Sequence, residues 1–346
     1  MTNPPSSSVD PALLRESMAR GLYGRSVVTG QITLPAVPSM IDEYVTMCAN
    51  VFAGVGRSFT AEQLVHVKTV LEGQLAVAYS ASQCSKVVIS FDALGSMNLN
   101  YRVKVESRTL DGVYEKWIER EPPLFGSQPD ARVWALANDA ADPRTHRVLD
   151  IGAGTGRNAL ALARRGHPVD AVEMTPKFAE VIRLDAGREQ LDVRVIQRDI
   201  FLTTADLGQD YQLILLSEVV SDFRTAQQLR GIFELAAHCL ARGGRLVFNA
   251  FVARQGYTPD NAARELGPQS YTSIFTRDEI STAASELPLE LIADDSVYEY
   301  EKAHLPEGAW PPTNWYANWA CGLALFDLEP EKSPIECRWL VYQKRG

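Results

Sequence analysis

The chain has 346 residues, 46% apolar and 22% charged, the mix of an ordinary folded globular protein, and its length favours two domains over one. Lys and Arg number 34 against 43 for Asp and Glu, and the net charge of −9 argues against a phosphate-coating surface, so no nucleic-acid partner is expected. No stretch approaches the roughly 20 apolar residues of a membrane span, and the opening MTNPPSSSVD lacks a secretory pattern; a cytoplasmic protein without a membrane partner is expected. Cys48, Cys84, Cys239, Cys321 and Cys337 form no CxxC pair, so neither a disulfide framework nor a metal site is expected.

Residues 1–9 are Pro- and Ser-rich, after which Asp10-Pro11 offers an N-cap and a first helical residue for a short helix ending near Gly21. Apolar residues at spacings of three and four predict a helix from Ser39 to about Phe52. A second runs from Thr60, where Gln63 completes a capping box, to Ala78. Lys86 to Phe91 and Leu99 to Val105 read as a hairpin around the turn DALGS. The Pro- and Gly-containing segment Glu121 to Asp130 reads as a connection, which divides the chain into a helical-plus-hairpin module, 1–125, and a second domain, 126–346. From Arg147 onward strands alternate with helices, including helices from Thr225 to Leu240 and from Thr276, a strand from Leu289 to Tyr300, and a last strand from Cys337 to Gln343. The expected fold is α/β, a doubly wound, mainly parallel, Rossmann-like sheet of seven strands with a smaller N-terminal domain.

The strongest motif is Val148-Leu149-Asp150-Ile151-Gly152-Ala153-Gly154-Thr155-Gly156-Arg157-Asn158, placed where a strand hands over to a helix. Glycines there permit positive φ and close backbone approach to a ligand. The spacing is GxGxG, and Arg157 stands where a dinucleotide-binding turn needs Gly. Asp150 would repel a pyrophosphate but accepts hydrogen bonds from the ammonium end of an amino-acid-like ligand. Glu173, at the second strand's tip, is placed to take both ribose hydroxyls. Asp199, at the third, offers an acceptor for an adenine amino group with Ile200 against the ring.

These residues resemble the class I S-adenosylmethionine-dependent methyltransferases, and VLDIGAGTGRNALALARRGHPVDAVE is similar to the tellurite-resistance type branch. The resemblance implies S-adenosyl-L-methionine as cofactor, with Asp150, Gly152, Gly154 and Gly156 as the first motif, Glu173 on ribose, Met174 packed on adenine, and Asp199 and Ile200 at the adenine edge. It places Ser217 and Glu218 against the methionine arm and methyl group. The fourth strand ends in LLSEVVSDF instead of the Asn/Asp-Pro-Pro-aromatic of nucleic-acid amino-methyltransferases.

Methyl transfer needs a general base only where the acceptor carries a proton that must leave. Glu218, Asp222, His304 and Tyr257 are candidates that the sequence does not rank. About 35 residues separate the last two strands, far more than a hairpin turn needs, and this insert, at about 302–334, holds Trp315, Tyr316 and Trp319. Those aromatics either wall a substrate pocket or staple the insert to the body. The reading is a methyltransferase for a small-molecule metabolite, whose N-terminal module covers the pocket or mediates homodimerisation. The rivals are a protein N-methyltransferase and a non-catalytic S-adenosylmethionine-binding module.

Overall fold

The computed structural model describes residues 10–94, 98–202 and 206–346, and the chain divides into two units, 1–108 and 109–346. The Pro- and Ser-rich start and the Gly95-Ser96 end of the hairpin turn lie outside the described residues.

In the first unit, α1 (Pro11–Tyr23) begins where the Asp10 carboxylate accepts the Ala12 N–H at 2.9 Å. It is followed by β1 (Val27–Pro35), α2 (Ile41–Gly54), α3 (Ala61–Ala81), β2 (Lys86–Leu94) and β3 (Asn98–Glu106). The capping box at Thr60 is present: Thr60 Oγ1 accepts the Gln63 N–H and Gln63 Oε1 accepts the Thr60 N–H. β2 and β3 pair antiparallel as the hairpin pattern predicts. β1, which the sequence analysis does not contain, adds a third antiparallel strand beside β2. Gly30 faces Phe91 in that pair, and a Cβ there would stand 2.3 Å from the Phe91 ring. The same ring meets Phe52 of α2 edge-on, with centroids 5.4 Å apart, so the glycine makes room for a core aromatic.

The second unit opens with α4 (Leu110–Tyr114) and α5 (Ala131–Asn138) and then alternates: β4 (Val148–Ile151), α6 (Arg157–Arg164), β5 (Val169–Val172), α7 (Pro176–Glu189), β6 (Val193–Ile196), β7 (Tyr211–Leu216), α8 (Ala226–Cys239), β8 (Leu240–Ala253). It closes with α9 (Asn261–Leu266), β9 (Ile274–Phe275), α10 (Arg277–Ala284), β10 (Leu289–Ser296), α11 (Val297–His304), α12 (Tyr316–Ala320) and β11 (Ile335–Lys344). The sheet order is β10-β11-β8-β7-β4-β5-β6, with the two-residue β9 also beside β8. Pairings from β6 across to β8 are parallel, and β11 runs antiparallel to both its neighbours. This is the expected doubly wound sheet. Successive residues feed opposite faces: Leu213, Leu215 and Val247 enter one core, and Ile214, Leu216, Leu246 and Phe248 enter the other.

Two boundaries differ from expectation. The break between units falls at Arg108/Thr109, not at 125/126, because Tyr114, Trp117 and Phe125 pack on one another and on Phe178 and Tyr271 of the second unit. The strand expected through Tyr300 stops at Ser296, whose hydroxyl accepts the Glu299 N–H and starts α11.

Glu301 of α11 ties three elements together. It is fully buried; Oε2 accepts the Ala131 N–H at 2.7 Å, and Oε1 accepts the Arg132 N–H at 3.1 Å and the Trp339 indole N–H at 2.9 Å. The carboxylate thus satisfies the first turn of α5 and locks α11 to β11. Glu301→Ala strands three buried donors and should lower the unfolding free energy by about 3–5 kcal/mol, read by chemical denaturation. Glu301→Gln keeps an acceptor oxygen and should lose less than half as much.

Candidate functional site

β4 and β7 are the neighbours at which the strand order reverses, and in such sheets ligands gather outside the carboxyl ends at that crevice. The loop leaving β4 and the rim leaving β7, Ser217 to Asp222, flank it. Gly152, Gly154 and Gly156 have φ of 69°, 56° and 90°, a region L-residues rarely adopt. A Cβ on Gly152 would also approach Val219 Cγ2 to 2.4 Å, so the two rims meet too closely for a side chain. The loop is moored to β5: the Gly152 and Ala153 N–H groups donate to Val172 O at 2.8 and 3.1 Å.

Glu173 is only 5% exposed, and its carboxylate organises the loop. Oε2 accepts the Gly154 N–H at 2.8 Å and Oε1 the Thr175 N–H at 2.7 Å, and the Thr175 side chain and the Met174 N–H also support the carboxylate. Burial raises its pKa against these bonds. Met174 beside it is exposed; Asp199 Oδ1 accepts the Phe201 N–H at 3.0 Å, and Ile200 is buried.

Below the rim lies a buried ionic cluster centred on Arg157, the first residue of α6. Its Nη2 donates to Asp130 Oδ2 at 3.0 Å, Ser217 Oγ at 3.1 Å and Glu218 Oε1 at 2.7 Å. Asn158 completes the hold on Asp130, donating to Oδ2 at 2.8 Å and accepting the Asp130 N–H at 2.9 Å. Asp150 is buried nearby; desolvation, then the Asp130 charge, push its pKa up to about 7 against Arg157 and the Ala159 N–H. Glu218 is pushed up to about 7 by desolvation, with Arg157 opposing. Arg157 Nη1 and the Tyr316 hydroxyl are buried there without a partner.

On the other side of Glu218, Asp222 Oδ2 accepts the Tyr114 hydroxyl at 2.7 Å. Tyr114, Trp117 and Tyr271 form a ring cluster with centroids 5.1 to 6.1 Å apart, and Phe125 stacks on Trp117. Phe125 lies over the glycine loop, 3.2 Å from where a Gly154 Cβ would be. The EPPLF segment, read from sequence as a linker, is therefore part of this rim.

The structure brings Asp150, the three glycines, Glu173, Ser217, Glu218 and Asp222 to the crevice. Tyr316 and Trp319 are instead core residues. Trp319 stands edge-on to Phe251 at 5.1 Å and donates its indole N–H to Tyr271 O at 2.7 Å, while Trp315 packs beside them. They staple the insert, because large flat side chains satisfy more apolar surface inside than on an irregular loop. Of this trio Tyr316 alone sends a polar atom toward the ionic cluster, where Asp130 and Glu301 raise its pKa well above the usual value behind the larger effect of burial. His304 is exposed at the end of α11, with its hydrogen bond and ring contact both to Tyr300 of the same helix. Tyr257 stands edge-on to Phe326. Asp130, Asn158 and Asn249, whose Oδ1 accepts the Glu218 N–H at 2.7 Å, are site residues that no motif in the sequence marks; Arg157 and Asn158 within GRNA are the first signal of that cluster, since Arg and Asn adjacent in a buried helix start require partners.

Residues 148–244 match the family described as methyltransferase domain. The expectation of such a domain is borne out over those residues. A protein named hemagglutinin 1 from Eikenella corrodens is 33% identical over 104 residues, covering 30% of this chain and 34% of that one. A demethylmenaquinone methyltransferase from Tropheryma whipplei is 28% identical over 156 residues, covering 44% of this chain and 56% of that one. The chain thus spans between a third and three fifths of these relatives' length. Among solved structures, a putative sarcosine dimethylglycine methyltransferase from Galdieria sulphuraria aligns with a TM-score of 0.49 and 17% identity, over 68% of this chain and 98% of that one.

The protonation of Asp150 gives this site a pH signature. A folded pKa of about 7 lies above the unfolded value, so the proton it binds stabilises the native state at low pH and that stability is lost as pH rises through about 7. The ligand-free protein's Tm should fall between about pH 4 and 7, and Asp150→Asn should make that fall shallower, the remainder being carried by Glu218 and Asp222. Equal slopes in both proteins would show that Asp150 is ionised throughout.

Proposed function

We propose that the protein is an S-adenosylmethionine-dependent methyltransferase acting on a small molecule, of the type whose glycine loop continues as GRNA. The observation that carries this reading is the pairing of the glycine loop with Glu173 across the β4 and β5 tips. The Glu173 carboxylate takes the two ribose hydroxyls as charge-assisted bonds. The adenine edge falls to Asp199 and Ile200, with Met174 against the ring. Asp150 and the negative cluster around Arg157 favour the cationic ammonium, and Ser217 lines the same arm. The buried, unpartnered Arg157 Nη1 and Tyr316 hydroxyl are donors suited to a carboxylate. The demethylmenaquinone methyltransferase named above supports a small acceptor, as does a ubiquinone biosynthesis O-methyltransferase from Coxiella burnetii that is 29% identical over 102 residues, covering 30% of this chain and 42% of that one.

When bound, S-adenosylmethionine supplies a methyl group on a sulfonium, a leaving group good enough that holding the acceptor in line provides most of the acceleration. The chain's part is to orient and to exclude water. Glu218 and Ser217 shape the floor of the crevice, and the rings of Trp117, Phe125 and Tyr271 supply an apolar wall.

In calorimetry the protein should bind S-adenosylmethionine and its demethylated product, and not NAD. Glu173→Ala should weaken the cofactor by about one to three orders of magnitude, the equivalent of two charged hydrogen bonds. Because Glu173 also holds the Gly154 and Thr175 N–H groups, the variant should melt at a lower temperature even without ligand. Unaltered cofactor affinity would remove Glu173 from the site.

A further inference from the structure

We infer that Asp222, held by Tyr114, is the proton acceptor of this site, and that the methyl acceptor is therefore a protic nucleophile, a hydroxyl or an amine, on a flat apolar body. The inference rests on the methyltransferase reading above. Asp222 ends the turn Val220–Asp222 that follows β7, on the rim of the crevice. One carboxylate oxygen, Oδ2, takes the Tyr114 hydroxyl at 2.7 Å; the other, Oδ1, is covered and has no partner. A covered carboxylate oxygen without a donor is costly in a folded protein, and a donor brought by a ligand removes that cost.

Among the other candidates, Glu218 is ion-paired with Arg157, Glu173 holds two backbone N–H groups of the glycine loop and the following turn, exposed His304 bonds within its own helix, and Tyr257 packs on Phe326; among these, a covered carboxylate oxygen without a partner is seen at Asp222. The groups that face Asp222 are Tyr114 from α4 and Glu218 from its own rim, with Tyr271 next to Tyr114. Burial and the Glu218 charge push the Asp222 pKa up to about 7 while the Tyr114 bond pulls it down, a value suited to receiving a proton at neutral pH. The rings of Tyr114, Trp117 and Tyr271 offer faces and edges to a flat partner beside the carboxylate.

In the step itself the acceptor's lone pair forms the bond to the methyl carbon, and the methyl–sulfur bond breaks with its electron pair left on sulfur. The acceptor's proton moves to Asp222 Oδ1. A sulfonium cation and a carboxylate anion thereby become a neutral thioether and a carboxylic acid, so charge and atoms balance. Tyr114 is a positioning residue that holds the carboxylate and lowers its proton affinity.

The test presents S-adenosylmethionine with catechol and benzylamine as protic acceptors and thioanisole as an aprotic one, with products read by mass spectrometry. Methylation of catechol, of benzylamine or of both, and not of thioanisole, is expected, and which of the two reacts separates oxygen from nitrogen acceptors. Asp222→Asn should lower kcat by about 10²- to 10⁴-fold and remove the acid limb of the pH profile, with cofactor affinity unchanged. Tyr114→Phe should keep that limb but move it to higher pH, which a purely structural role would not do. Without turnover, the reactive protic probe titrated into the complex with the demethylated product should bind about tenfold or more weakly to Asp222→Asn. If Asp222→Asn does not fold, the wild-type limb and its displacement in Tyr114→Phe decide. The inference is overturned if the cofactor binds but only thioanisole or no probe is methylated, or if Asp222→Asn retains the wild-type rate. Failure of the cofactor to bind is a separate result, which removes the methyltransferase reading and this inference with it.

Discussion

A single guanidinium buried among carboxylates sets the constraints for the rest of the second unit. Arg157 is shared by Asp130 and Glu218, with Asp150 close enough to feel both Arg157 and Asp130. Burying charge is costly unless it is paired, and one cation cannot neutralise three acids. Burial raises the pKa of Asp150 and of Glu218, and the Asp130 charge adds to it while Arg157 opposes it. A site with buried excess negative charge is held ready for a cation, and a ligand bearing both a sulfonium and an ammonium relieves what the empty fold must tolerate. The same cluster fixes geometry: Asp130 immediately precedes α5, Arg157 and Asn158 begin α6, and Glu218 follows β7, so pairing the charges sets the crevice.

Glu218 itself carries a second constraint. Its φ of 61° is unfavourable for a residue with a Cβ and persists only where the surroundings fix it. Here Asn249 Oδ1 accepts its N–H at 2.7 Å and the Ser221 hydroxyl donates to its carbonyl at 3.1 Å. Those two bonds anchor the rim to β8 and to the turn that ends in Asp222, so the segment between β7 and Asp222 is set before any ligand arrives. Such preorganisation matters for a reaction in which orientation carries most of the barrier reduction.

What was legible in the sequence was local. The capping box at Thr60, the helix starts at Thr225 and Thr276, the glycine loop and the alternation of strands with helices all lie within short windows. What was hidden depends on partners far along the chain. β1 has a glycine at its centre because Phe91 on the neighbouring strand fills the space, and nothing near Gly30 announces that ring. Asp130 reads as the end of a linker until Arg157 and Asn158 are folded against it. The dense aromatics at Trp315, Tyr316 and Trp319 suit a pocket wall and a core equally well, and only β8 and the Tyr271 carbonyl decide for the core. Conversely, Glu121 to Asp130 has the composition of a connection, yet within it the Phe125 ring lies over the glycine loop and Asp130 joins the ionic cluster.

The two aromatic groups therefore divide the work, the insert packing into the core and the run ahead of α5 facing the crevice. The insert between α11 and β11 is immobilised by the body of the sheet, which gives the ionic cluster a dry wall through the Tyr316 hydroxyl. The segment ahead of α5 is only half-buried over most of its length, and from Tyr114 to Phe125 it meets the crevice through the Tyr114 hydroxyl on Asp222 and the Phe125 ring over Gly154. Contacts of that kind exchange more readily than backbone pairings, because few buried bonds must break at once. Any ligand reaching both the glycine loop and Asp222 must displace or slide beneath those rings. On the proposed reading, the acceptor's shape is set by the rings of Tyr114, Trp117 and Phe125, and the proton-accepting carboxylate is the one that Tyr114 holds.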